Sequence, residues 1–150
     1  MITMPKRTIR PLEKVFIGGQ ILILLFMAFH DWIPLGNLND LDGIRAQMTT
    51  MELLRDTAIN TISILVVLTI TLWFAGKRRP LWARIWLVMH LAGVLWGAIR
   101  AWWIPYFQGA DPELVQRYEV MFGNTHSFLP EMNGITPNTI HVLFHLTLAA

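Results

Sequence analysis

The chain has 150 residues, a formal net charge of +2, and a composition that is 54% hydrophobic but only 15% charged. Soluble domains carry about 25% charged residues, so this composition excludes a soluble globular enzyme, a disordered chain and a coiled coil. The small positive excess gives no reason to expect a nucleic-acid partner, and the absence of cysteine excludes disulfides, thiolate metal sites and cysteine nucleophiles.

Four apolar stretches alternate with polar segments along the chain. A helix needs about 20 apolar residues to cross the hydrocarbon core of a bilayer. The pattern predicts an all-α membrane protein, a four-transmembrane-helix bundle that forms a single integral membrane domain over residues 1–150. The expected spans are 15–33, 57–76, 81–104 and 137–150. The fourth span is too short for a full crossing. Either the chain continues past Ala150, which we favour, or the C-terminus ends inside the bilayer, or neighbouring helices partly bury the span.

Basic residues indicate how the chain is threaded through the membrane. Eight of the twelve lie before the first span or between the second and third: Lys6, Arg7, Arg10, Lys14, Lys77, Arg78, Arg79 and Arg84. Lysine and arginine mark the cytoplasmic side of multi-pass proteins. We therefore expect a multi-pass protein of the cell membrane, with a cytoplasmic N-terminus and both long loops outside.

Each long loop contains an amphipathic helical pattern. Residues 37–56 have apolar side chains at three-four spacing, which predicts a helix leading into the second span, although Gly43 weakens its first turn. In the second loop, Asp111 is a helix cap and Gly123 a stop, so residues 112–122 are predicted to be helical. This helix either lies on the lipid headgroups or covers the outer mouth of the bundle.

The third and fourth spans carry the residues that point to function. His141 and His145 are four residues apart and share one helix face, which suits an acid–base pair or, as a weaker alternative, two ligands of a metal. Gly93 and Gly97 form a GxxxG pattern that allows close approach of another helix. We expect that pattern to contact a membrane-protein partner or a second copy of this chain.

Further polar residues are predicted to lie in the outer half of the membrane. Arg100 falls on the glycine face of the third span and is expected to converge with His141 and His145. Ionisable groups inside a span are costly and usually face the protein interior, so each is a candidate functional residue. The predicted ligand-binding residues are His30, Asp31, Asn60, His90 and Arg100.

These residues predict a polar pocket that opens to the outer leaflet. It would bind or convert a lipid-like or anionic small molecule, with Arg100 holding the anion and His141 or His145 exchanging protons. The alternative is a structural or accessory subunit of a membrane complex. A third hypothesis is a haem- or metal-binding protein, with His90 and His145 as iron ligands. The sequence contains no motif of a known reaction, and it leaves open both enzymatic activity and any cofactor.

Overall fold

The computed structural model describes residues 8–150, and all of its regular elements are helices. Two isolated bridges are the only β-type pairings in that range. The helices are α1 (Pro11–Phe29), α2 (Asp42–Gln47), α3 (Thr50–Trp73), α4 (Leu81–Ala98), α5 (Ile104–Gln108), α6 (Pro112–Phe122) and α7 (Thr139–Ala149). A π-helical segment, Ile99–Trp103, joins α4 to α5 without a break.

Three helices are long and apolar enough to cross a membrane. They are α1, α3 and the continuous helix Leu81–Gln108 that includes α4 and α5. The protein is therefore an all-helical chain with the composition of a membrane protein. Helix α7 is also apolar, but it has 11 residues and is shorter than a crossing requires.

The long helices begin earlier than predicted because polar residues cap them. Helix α1 begins at Pro11 rather than near residue 15. Glu13 Oε2 accepts a hydrogen bond from the backbone N–H of Arg10, the residue that precedes the helix. Helix α3 begins at Thr50 rather than near residue 57. The Thr49 hydroxyl accepts from Glu52 N, and the Glu52 carboxylate accepts in return from Thr49 N.

The cap formed by Thr49 and Glu52 starts a new helix within residues 37–56, so the prediction of one helix over this range was wrong. The structure has two helices there, α2 and α3, separated where Met48 adopts an extended conformation. Residues 112–122 form helix α6, and the Asp111 side chain accepts a hydrogen bond from Leu114 N at its start. The apolar pattern was read correctly as helical, but it did not reveal the break.

Helix α7 lies between α1 and α4, and α1 also packs along α3. Ile23, Ile64 and Phe144 form the core where α1, α3 and α7 meet. A hydrogen bond of 3.0 Å from Gln20 Nε2 to Thr71 Oγ1 joins α1 to α3. His141 and His145 are the buried polar side chains of α7.

A second layer covers the end of the helices that adjoins the long loops. Leu41, Ile44 and Leu53 form its core, and α2 packs against α6. The buried side chain of Asn39 ties down the loop after α1 by donating hydrogen bonds to the carbonyl oxygens of His30 and Ile33. In this layer, Tyr118 and Phe122 of α6 contact Trp102 of the π-helical segment, and Phe122 also contacts His141 of α7.

Candidate functional site: a cluster of histidines and aromatic rings

Three histidines lie together at the loop end of α1 and α7. The ring centroids of His30 and His141 are 5.6 Å apart, and those of His141 and His145 are 6.1 Å apart. The sequence predicted that the two α7 histidines share a face and that His30 reaches the same level. We call these residues, with Asn138 and Trp102, the histidine cluster.

Asn138 holds His141 in place at the start of α7. Its Oδ1 atom accepts a hydrogen bond of 3.0 Å from His141 N and lies 2.7 Å from His141 Nδ1. Since the amide oxygen is an acceptor, the imidazole presents its N–H at Nδ1. Sequence reasoning missed Asn138 as a site residue. The signal was its position immediately before an apolar run, where asparagine is a preferred cap.

Two buried polar atoms of the cluster have no partner. His145 is 4% exposed and Asn138 is 1% exposed. His145 Nδ1 and Asn138 Nδ2 make no hydrogen bond with any residue in the described range 8–150. A buried donor or acceptor without a partner costs about 1–3 kcal/mol, so a bound polar group would stabilise this arrangement.

Aromatic rings enclose the histidines. The Trp102 ring lies 4.7 Å from that of His141 and 6.3 Å from that of His145, measured between centroids. On the other side, Phe26 stacks at 4.2 Å both on His30 and on Phe144. These rings exclude water and lower the local dielectric, which strengthens any hydrogen bond made inside the cluster.

The π-helical segment brings Trp102 to this position. The Ile104 N–H bonds to the Ile99 carbonyl, five residues back, so the chain turns less per residue here than in an α-helix. The prediction for Arg100 assumed that the glycine face of this helix meets a neighbouring helix of the chain. Gly93, Gly97 and Arg100 are all exposed, and the buried residue of the π-helical segment is Trp102, whose ring contacts His141 on α7.

Asp31 connects the cluster to the loops. Its Oδ1 atom lies 3.1 Å from His30 Nε2, and both side chains are mostly shielded from solvent. Burial raises the pKa of the Asp31 carboxyl above its usual value; the nearby His30 opposes the rise and Asp56 adds to it. The pair therefore places a proton-exchanging group between the buried histidines and the polar loops.

The other predicted ligand-binding residues lie outside the cluster. His90 Nε2 is 2.7 Å from Ser63 Oγ on α3, and the His90 ring stacks on Trp86 at 4.9 Å. Asn60 and Arg100 are exposed, and neither side chain makes a hydrogen bond or ion pair with residues 8–150. The convergence of Arg100 with the α7 histidines stays a prediction.

The fold brings no further ligand to the residues proposed to hold a metal ion or haem. In the part of the chain that the structure describes, no three His, Asp or Glu side chains are grouped closely enough to hold a metal ion. His90, the second proposed iron ligand, has its Nε2 atom engaged with Ser63. Of that pair, His145 has a buried ring nitrogen, Nδ1, without a hydrogen-bond partner among residues 8–150.

Comparison with known proteins gives no family for this chain. It matches no protein-family model, and no curated protein or solved structure matches it. The histidine cluster is therefore the basis for inferring function. Its chemistry is that of three imidazole rings held among aromatic rings beside the Asp31 carboxyl group.

Proposed function

We propose that this protein is a four-span membrane protein that binds a lipid-like small molecule at the histidine cluster. The observation that carries the proposal is the pair of buried atoms without partners, His145 Nδ1 and Asn138 Nδ2. Between apolar helices, such groups rarely persist unless they serve a ligand, a proton path or bound water. A ligand with a polar end would supply the missing hydrogen bonds.

The cluster offers a distinct contact to each part of such a ligand. The polar end would bond to His145 or Asn138, and the apolar part would lie against Trp102 and the phenylalanine rings beside it. In a conversion of the ligand, His145 would exchange the proton, because its Nδ1 atom is not held by another residue. Arg100, exposed two residues before Trp102, would attract an anionic group to the membrane boundary.

A brominated stearate tests this function through tryptophan fluorescence. Bromine quenches an indole that it contacts, and Trp102 lies within the cluster among the seven tryptophans of the chain. We expect saturable quenching in the wild type and about tenfold weaker binding in His145→Leu, which loses a charge-assisted hydrogen bond worth about 1.5–3 kcal/mol. Trp102→Phe should reduce the saturable component, and Trp103, whose ring centroid is 5.9 Å from that of His145, should account for the remainder.

The matched control is His126→Gln. His126 lies in the second long loop, where its Nδ1 atom is 2.8 Å from Thr139 Oγ1, and it is exposed. The control variant should bind the brominated stearate as the wild type does. Quenching that does not saturate, or that is equal in the wild type and His145→Leu, would contradict the proposal.

A role as an accessory subunit is the second candidate, and one observation favours it. Gly93 and Gly97 are exposed, and a Cβ atom added at either position would meet nothing within 4 Å. The GxxxG face of α4 therefore has room for a helix of a partner or of a second copy. Absence of ligand binding at the cluster, together with a stable complex through this face, would favour this candidate over the first.

We also propose that the N-terminus is cytoplasmic and that both long loops lie outside. The asymmetry of basic residues supports this orientation. The chain has no native cysteine, so single cysteines at the exposed positions Thr8 and Gln108 can be labelled separately. An impermeant maleimide added to intact cells should label Gln108→Cys but not Thr8→Cys. Labelling of both, or of Thr8→Cys alone, would overturn the threading.

A further inference from the structure

A groove runs along the contact between α1 and α7, at the end of α1 opposite the histidine cluster. Its volume is about 770 Å³. The residues that line it include Phe16, Gly18, Gly19, Gln20, Leu91 and Leu146. The two glycines leave this space open, since a Cβ atom at Gly18 would meet nothing within 4 Å and one at Gly19 would only touch Thr147. The space can therefore accept an apolar chain without moving either helix.

The surroundings of the groove define the chemistry of its occupant. Leu12, Val15, Leu22 and Leu146 are exposed along its edges, as expected of side chains that face hydrocarbon. A soluble metabolite would not enter a groove bordered in this way. An acyl chain of a membrane lipid suits both the lining and the location.

Arg79 lies beside a residue that lines this groove, and it has hydrogen-bond donors without partners among residues 8–150. Its guanidinium carbon is 5.4 Å from the centroid of the Phe16 ring, which lines the groove. The Nε and Nη2 atoms are buried and have no hydrogen-bond partner among residues 8–150. A guanidinium is always charged, so leaving two of its buried donors unpaired is unfavourable unless an anion binds there.

The charge at this end of the molecule favours an anion. Lys14, Lys77 and Arg78 belong to the same basic group as Arg79. Glu13 is the acid near them in sequence, and its Oε2 atom accepts a hydrogen bond from Arg10 N. Basic pockets between transmembrane helices on the cytoplasmic side bind the headgroups of anionic lipids.

We propose that an anionic phospholipid occupies this site, with one acyl chain in the α1–α7 groove and its phosphate on Arg79. Arginine suits this role because its planar fork can bond two phosphate oxygens at once. The chain groove makes a phospholipid, rather than free phosphate, the ligand. The site stands apart from the proposed function, since it lies at the other end of α1 and uses none of the histidines.

Native mass spectrometry of the full chain in detergent tests the site. The probes are dioleoylphosphatidylglycerol, which is anionic through its phosphate, and dioleoylglycerol, which has the same acyl chains but no phosphate. We expect the wild type to retain the anionic lipid about tenfold more tightly, the gain expected of a charge-assisted hydrogen bond. Arg79→Gln should abolish that preference, and Arg79→Lys should retain part of it.

The matched control is Arg78→Gln, which removes the same charge from the adjacent, exposed position. It should leave the preference for the anionic lipid unchanged. Gly18→Leu should fill the groove and weaken retention of both lipids. If that variant does not fold, the comparison of Arg79→Gln with Arg78→Gln still tests the proposal. Equal retention of the two lipids by the wild type, or equal losses in Arg79→Gln and Arg78→Gln, would overturn the proposal. Displacement of the lipid by an equal concentration of inorganic phosphate would also overturn it.

Discussion

Replacement of Trp102 by alanine should lower the free energy of unfolding by about 3–5 kcal/mol, the usual cost of truncating a large buried aromatic residue. Trp102 is 6% exposed, and its ring contacts those of Tyr118, Phe122 and His141. These contacts join α6 and α7 to the π-helical segment. Between apolar helices the loss is one of packing, because lipid chains are as apolar as the protein interior. The vacated space would also loosen the enclosure around His145.

Equilibrium unfolding in mixed micelles measures this effect, and Trp96→Ala is the control. Trp96 lies on α4, and its side chain is 56% exposed. Its truncation should change the free energy of unfolding by less than about 1 kcal/mol, as expected of a surface position. Similar losses in the free energy of unfolding of the two variants would mean that Trp102 does not join α6 and α7 to the π-helical segment.

Gly43→Ala should destabilise the contact between α2 and α6 by about 3 kcal/mol, the upper range for overpacking. A Cβ atom at Gly43 would overlap the carbonyl oxygen of Val120 and would lie 2.9 Å from that of Met121. These are backbone atoms of a helix, so they cannot turn aside as a side chain could. The variant has to separate the two helices, and α6 would then cover the histidine cluster less closely.

Gly93→Ala and Gly97→Ala are the controls for this prediction. Both are glycines in a helix, and an added Cβ atom would meet nothing within 4 Å at either position. Alanine is favoured over glycine in a helix by about 0.5–1 kcal/mol, so these variants should be neutral or slightly stabilising. Unfolding measurements that place Gly43→Ala among the neutral variants would contradict the close packing of α2 on α6.

The role of Gly43 differs between what the sequence indicates and what the fold shows. From the sequence, Gly43 was a weak point in a predicted helix. In the fold, it is where α2 can approach the backbone of α6. Because glycine has no side chain, its identity does not indicate which residues pack against it. Helix propensity alone therefore predicts only that Gly43 destabilises the helix. Only the packing of two distant segments identifies it as a requirement.

Local signals in the sequence determined the helices and several of their ends. The apolar stretches, the Asp111 cap and the helix over residues 112–122 depend on neighbouring residues, and the structure has helices there. The shared face of His141 and His145 follows from helical spacing alone, and both side chains are buried together. Such features depend on contacts within a few residues, which the sequence displays directly.

Only the tertiary structure decided which residues surround those histidines. Arg100 was expected there because helical spacing places it on the glycine face, but Gly93, Gly97 and Arg100 are all exposed, and Trp102 is the buried residue beside the histidines. Asn138 bonds to His141 at the start of α7, and Phe26 stacks on His30 at the end of α1. Their positions depend on the rotation of each helix and on contacts between segments that are distant in the chain. A single sequence shows neither, because periodicity identifies the residues that share a helix face but not the element that packs against that face.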